Sequence, residues 1–196
     1  MKYVLLGNGK IKPSKSFADA DCVVQFNHCR HIDRVPPAAQ RWVFLSNTGS
    51  PMQRNVEILC AMPDHPALQD AVMMQARNPA FYRLKRAWLR LRLSPHWQDF
   101  TPSDAGAALA AFWSVKTMNF GASLGLDRLL RARGMAAHMM PSTGMIAFDW
   151  VRAQMRPEDL LRIEGFGWQG WEGHPWAIER AMMQAFLARQ RGYRST

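Results

Sequence analysis

Apolar residues in the first third of the chain fall into short, nearly continuous runs, and each run stops at small or polar residues. Tyr3–Leu6 stops at Gly7-Asn8-Gly9, Cys22–Phe26 at Asn27, Trp42–Leu45 at Ser46-Asn47-Thr48-Gly49, and Val56–Met62 at Pro63. Runs this short, without strict alternation, predict strands of a parallel sheet buried on both faces. Between the first two, Ser14–Asp21 is long enough for one or two helical turns.

The middle, about 64–132, has a helical pattern. Asp64 is placed to cap His65–Arg77, and Phe81, Leu84, Trp88 and Leu91 recur at helical spacing. Ser103-Asp104 precedes Ala105–Val115, and Leu126–Arg133 runs into Gly134, a C-terminal glycine. The last third returns to alternation. Met135–Met140 is expected as a strand, Pro141–Gly144 as a turn and Met145–Met155 as a helix. Leu160–Phe166 follows as a strand, then a Gly/Trp loop, then a helix over His174–Gly192. This order predicts one α/β domain over residues 1–196, built on a single doubly wound, mostly parallel sheet. The helical middle is expected as an insertion or lid.

Three places carry candidate chemistry. Gly7-Asn8-Gly9 ends a strand, where glycines permit close approach of backbone to a phosphate. It lacks the dinucleotide fingerprint, because Lys12 stands at the third glycine position, and no Gly-Lys-Ser/Thr follows to make a P-loop. An ordinary βα turn has the same appearance. Ser142 or Thr143 can cap the helix that begins there, and Gly144 leaves its first turn uncovered. Helix N-termini present unpaired N–H groups and attract anions, although plain capping explains the same residues. His174 is delivered by the Gly/Trp loop just before the last helix, with Glu179 five residues on. An imidazole near neutral pKa suits a general base, and a surface histidine is the plainer reading.

Taken in order, these segments resemble the sialyl motifs of the family 29 sialyltransferases. Gly7-Asn8, Ser16, Asp19, Asp21, Val23 and Asn27 match the large motif. Pro141–Met145 matches the core of the small motif, and His174–Glu179 the His-x4-Glu of the very small one. The resemblance covers about a third of the chain and implies a GT-A-like, Rossmann-like variant fold. It also implies a metal-independent, inverting glycosyltransferase moving a 2-keto acid sugar, sialic acid or Kdo, from its CMP-activated donor to a glycan or glycolipid. His174 and Glu179 would then be catalytic. Gly7, Asn8, Gly9, Asn27, Ser142, Thr143 and Gly144 would bind the CMP donor, with no cofactor and no metal. Asp19-Ala20-Asp21 has the form of a metal motif but precedes a strand, on the side away from the ligand edge. Departures are the missing cysteine pair, membrane anchor and aromatic third motif, which suits a short bacterial form, as in lipopolysaccharide synthesis. The alternative is a non-catalytic nucleotide- or RNA-binding α/β module.

Charge and composition narrow this little. Net charge is +10, which favours an anionic partner. No acidic residue occurs over 71–98, where Arg77, Arg83, Lys85, Arg86, Arg90 and Arg92 lie. The stretch 77–92 could serve peripheral contact with an anionic membrane, although a core-facing helix with a solvated basic rim is the plainer reading. No apolar run is long enough to span a bilayer. Three cysteines without CxxC spacing indicate neither a disulfide framework nor zinc, so a cytoplasmic protein is expected.

Overall fold

The computed structural model describes residues 1–45, 50–61, 71–75, 102–110, 114–118 and 120–192. The basic stretch 77–92 lies outside the described residues. The strands are β1 (Lys2–Leu6), β2 (Cys22–Phe26), β3 (Gln40–Leu45), β4 (Ala71–Gln75), β5 (Val115–Met118) and β6 (Leu160–Glu164). They form one six-stranded sheet in the order β5-β4-β3-β2-β1-β6. Every neighbouring pair is parallel. The chain is therefore an α/β protein on a parallel sheet, as the apolar runs predict.

The helices are α1 (Ser50–Cys60), α2 (Pro102–Leu109), α3 (Phe120–Arg131), α4 (Thr143–Gln154) and α5 (Trp176–Gly192). Alternate strand residues feed opposite faces of the sheet. Tyr3, Leu5, Cys22, Val24, Phe44 and Leu161 pack with α3, α4 and α5 on one side. Val4, Leu6 and Val23 pack beneath Phe17, Val35 and Ala39 on the other side. Val43 and Leu45 continue that second side against α1 and α2. Buried on both faces, the inner strands need no polar alternation.

Several local expectations are corrected. Val56–Cys60, expected as a strand, is the second half of α1. Serine and proline open that helix, and its apolar residues fall on one side, with Val56 and Leu59 buried. Ser14–Asp21 makes turns rather than helix, and Met135–Met140 makes a turn and extended chain rather than a strand. The middle is not simply a helical insertion: Ala71–Gln75 and Val115–Met118 are strands of the main sheet. Both are short runs whose pattern fits helix and strand alike, and pairing with β3 decides the matter.

Asp19 and Asp21 lie at the amino ends of the strands. Asp19 pairs with Arg162 at 2.8 Å, and Asp21 accepts the Lys2 N–H at 2.7 Å. Both carboxylates are engaged in tying β1, β2 and β6 together.

Candidate functional site

The sheet order reverses at β1, which has β2 on one side and β6 on the other. Chains leaving neighbouring strands at such a point diverge and leave a crevice at their carboxyl ends. A cleft of about 750 Å³ opens there. It is lined by Asn8, Gly9, Asn27, Ser142, Thr143, Gly144 and His174 among the expected residues. Gly7 lies just beneath, and Glu179 is buried behind the cleft wall.

The Gly7-Asn8-Gly9 turn is shaped by its own neighbours. The Gly7 N–H donates to the Glu164 carbonyl at 2.8 Å, and the Gly9 N–H to the Gly165 carbonyl at 2.7 Å. A Cβ on Gly9 would lie 2.7 Å from the Gly165 oxygen, and one on Gly7 would overlap the same carbonyl. These glycines are needed so that the ends of β1 and β6 can touch. Two of the turn's N–H groups are thus already paired and cannot hold a phosphate. The Asn8 side chain links β1 to β2: Nδ2 donates to the Phe26 carbonyl at 2.9 Å and Oδ1 accepts the Arg30 N–H at 3.1 Å. His31 Nε2 donates to the Gly9 carbonyl at 2.7 Å, a contact that no motif indicated.

Asn27 ends β2 with φ of 55°, in the left-handed region where asparagine is among the few tolerated side chains. Its Nδ2 makes a long 3.4 Å contact to Thr143 Oγ1. Its Oδ1 is buried and has no hydrogen-bond partner among the described residues. A strained residue with an unpaired amide oxygen costs stability, and such residues concentrate at functional sites.

Ser142 is the N-cap of α4, and its hydroxyl accepts the Met145 N–H at 3.1 Å. Glu179 completes the cap from α5. Its carboxylate accepts the Ser142 N–H at 2.7 Å and the Ser142 hydroxyl at 2.6 Å. This is a capping box closed across the fold rather than within one helix. A fully buried carboxylate therefore sits on the positive end of α4, so the helix terminus is not an empty anion site. Burial pushes Glu179 above its ordinary value, opposed by the two Ser142 hydrogen bonds and the nearby His174. Gly144 faces Phe166 and Phe26, and a Cβ there would lie 2.7 Å from Phe166 Cε1. Its glycine identity is what lets those rings form the cleft floor.

His174 is held by the loop after β6. The Met140 N–H donates to the Gly173 carbonyl at 2.9 Å, and His174 Nδ1 lies 2.9 Å from the Met140 carbonyl. A carbonyl only accepts, so Nδ1 carries the hydrogen, and it is Nε2 that is left to meet a ligand. The ring lies edge-to-face between Trp171 and Trp176, with centroids 4.9 and 5.0 Å away. Phe166 and Trp168, 5.1 Å apart, continue this aromatic wall. Sequence reading missed Phe26, Phe166, Trp168 and Met140, because an apolar residue lining a cleft reads as core. Among the described residues, no group of three or more His, Cys, Asp or Glu is placed to hold a metal ion.

Chemically, the cleft offers flat aromatic surface, amide groups and an imidazole, and its described lining residues include no Lys, Arg, Asp or Glu. Such a lining suits a planar polar ligand better than a multiply charged one.

No family model and no solved structure matches the chain. It is similar to the urease operon 23 kDa accessory protein of Rhizobium meliloti (strain 1021), 24% identical over 194 residues. The match covers 96% of this chain and 89% of the relative. That end-to-end similarity overturns the expectation of a CMP-sugar-dependent glycosyltransferase. With it go the sialyltransferase and lipopolysaccharide role, the CMP-sugar donor and the glycan or glycolipid acceptor. Among the described residues no helix is long and apolar enough to cross a membrane.

Proposed function

We propose that this chain is an accessory protein serving a urease system, in the sense of its R. meliloti relative's name, and that it acts by binding. The observation that supports this reading is the similarity over nearly the full length of both chains. A match confined to a short segment would carry little, whereas this one spans 96% of this chain and 89% of the relative.

We read the sheet as doubly wound, and the cleft at its reversal as the ligand site of the accessory role. The unpaired Asn27 oxygen, His174 Nε2 and the aromatic wall support that placement. The resemblance to the sialyl motifs is then one of framework. Gly7, Gly9, Asn8, Ser142, Gly144 and Glu179 each hold the cleft's walls in position, whatever ligand enters.

Co-expression tests the role. Urease structural and accessory genes of R. meliloti are expressed with and without the 23 kDa gene, and this chain is then supplied in its place. The reading predicts that urease activity falls without the 23 kDa protein and recovers with this chain. Activity that stays at the depleted level when this chain is present at normal abundance contradicts it.

A further inference from the structure

A second concavity, of about 860 Å³, lies among α3, α4 and α5 and shares no lining residue with the cleft. Its floor is apolar: Leu129, Phe148, Ile178, Met182 and Phe186 contribute to it. Phe148 and Phe186 meet edge-to-face at 5.5 Å and close its base. Its rim is basic, with Arg133 from the turn after α3, Arg152 from α4 and Arg189 from α5, and no Asp or Glu among the described lining residues. Arg152 is paired with Asp149 at 2.8 Å. Among the described residues, Arg133 bonds the Leu129 carbonyl at the end of α3 and Arg189 the Ala185 carbonyl of α5. Two guanidinium charges thus stand beside an apolar trough without a carboxylate partner among the described residues.

We infer that this groove docks an amphipathic helix of a partner protein, with its apolar face in the trough and acidic residues along its flanks. Helix-in-groove recognition needs an apolar floor for residues at i, i+3/i+4 and i+7, and the rim charge selects the flanks. Charge also rejects two other occupants. A second copy docking by twofold symmetry would bring arginine rim onto arginine rim. The chain's own stretch 77–92 carries six basic residues and no acidic one, so its sequence offers the rim no complementary charge. This site is separate from the cleft and does not depend on the accessory role.

Fluorescence anisotropy of the full chain tests the inference with a labelled synthetic helix about 18 residues long, roughly 27 Å. The helix has leucines on one face and glutamates on its flanks, and a twin carries lysines there. We expect saturable binding of the glutamate helix, weakened about tenfold, or about 1.4 kcal/mol, by Arg133→Glu with Arg189→Glu. Both arginines are exposed, so an unchanged melting curve confirms that this variant folds. The lysine helix should bind the double variant better than the wild type. Ile178→Asp, in the floor, should weaken both. Absence of saturable binding overturns the inference. So does equal weakening by Lys10→Glu with Arg30→Glu, which would mean attraction to net charge alone. Concentration-dependent dimerisation abolished by the Arg133/Arg189 variant assigns the groove to self-association and also overturns it. Binding to anionic phospholipid vesicles that depends on the same arginines, without peptide binding, does likewise.

Discussion

Replacing Glu179 by alanine removes the acceptor of two hydrogen bonds at once. The Ser142 N–H and hydroxyl reach its carboxylate at 2.7 and 2.6 Å, and Ser142 itself is 4% exposed. Neither group can turn to water when the carboxylate is gone. Hydrogen bonds to a charged partner contribute about 1.5–3 kcal/mol each. Two that share one carboxylate are not independent, so the expected loss is about 3–5 kcal/mol. For a chain of this size that lowers Tm by roughly 6–20 °C. Glu179→Gln keeps one oxygen as acceptor and turns an NH₂ toward the other donor, so it should cost about 1–2 kcal/mol. The assay is urea unfolding followed by tryptophan fluorescence, for which the chain carries 8 tryptophans. With Ser142→Ala added, the double-mutant cycle should show a coupling of about 2 kcal/mol. A loss under about 1 kcal/mol for Glu179→Ala, or no coupling to Ser142, refutes the interhelical capping box.

Four further outcomes follow from the same geometry. Burial raises Glu179 above its ordinary value, so between its unfolded and folded values the native state holds a proton that the unfolded chain has already released, and above the folded value it is the ionised acceptor of the capping box. That contribution is complete below about pH 4.5 and is lost as pH rises through the folded value. The wild type should therefore lose stability relative to Glu179→Gln as pH rises from about 4.5 through the folded value, and a parallel pair of curves counts against it. Asp159 has the opposite sign, because the N-terminal ammonium and the Arg156 N–H hold its carboxyl below 3.8. Its contribution is present above that value and lost as pH falls through the folded one, so Asp159→Asn should flatten acid unfolding. Gly9→Ala must displace the Gly165 backbone and should cost roughly 1–3 kcal/mol, measured by urea unfolding. Asn27→Gly should be about 1 kcal/mol more stable than Asn27→Ala, because only glycine meets φ of 55° without strain; equal stability would mean that the turn is unstrained.

Four of the six strands among the described residues are legible in the sequence where burial on both faces makes them continuous. Val23, Val24 and the Tyr3–Leu6 run leave little alternative to a central strand. Ala71–Gln75 and Val115–Met118 were not legible, since alanine, methionine and lysine suit a helix as well, and only the β3–β4–β5 pairing makes them strands. Val56–Cys60 misleads through its β-branched and apolar start. The Ser50-Pro51 pair marks the helix N-terminus and was the available signal. Motif order brought Asn8, Asn27, Ser142–Gly144 and His174 to one cleft. What those residues do was not legible. That Gly7 and Gly9 answer to Gly165, and that Glu179 answers to Ser142, depends on contacts across more than thirty positions of sequence.

The accessory role is tested most directly by urease activity in R. meliloti extracts whose own 23 kDa accessory protein is replaced by this chain, as wild type or as Gly144→Leu. The leucine must push the Phe166 ring, which a Cβ there already meets at 2.7 Å, into the cleft, so the variant's melting curve is compared with the wild type's to establish that it folds. Activity restored by the wild type and lost with the folded, filled-cleft variant is the predicted result. Failure of the wild type contradicts the accessory role, and equal rescue by both forms contradicts the cleft's part in it.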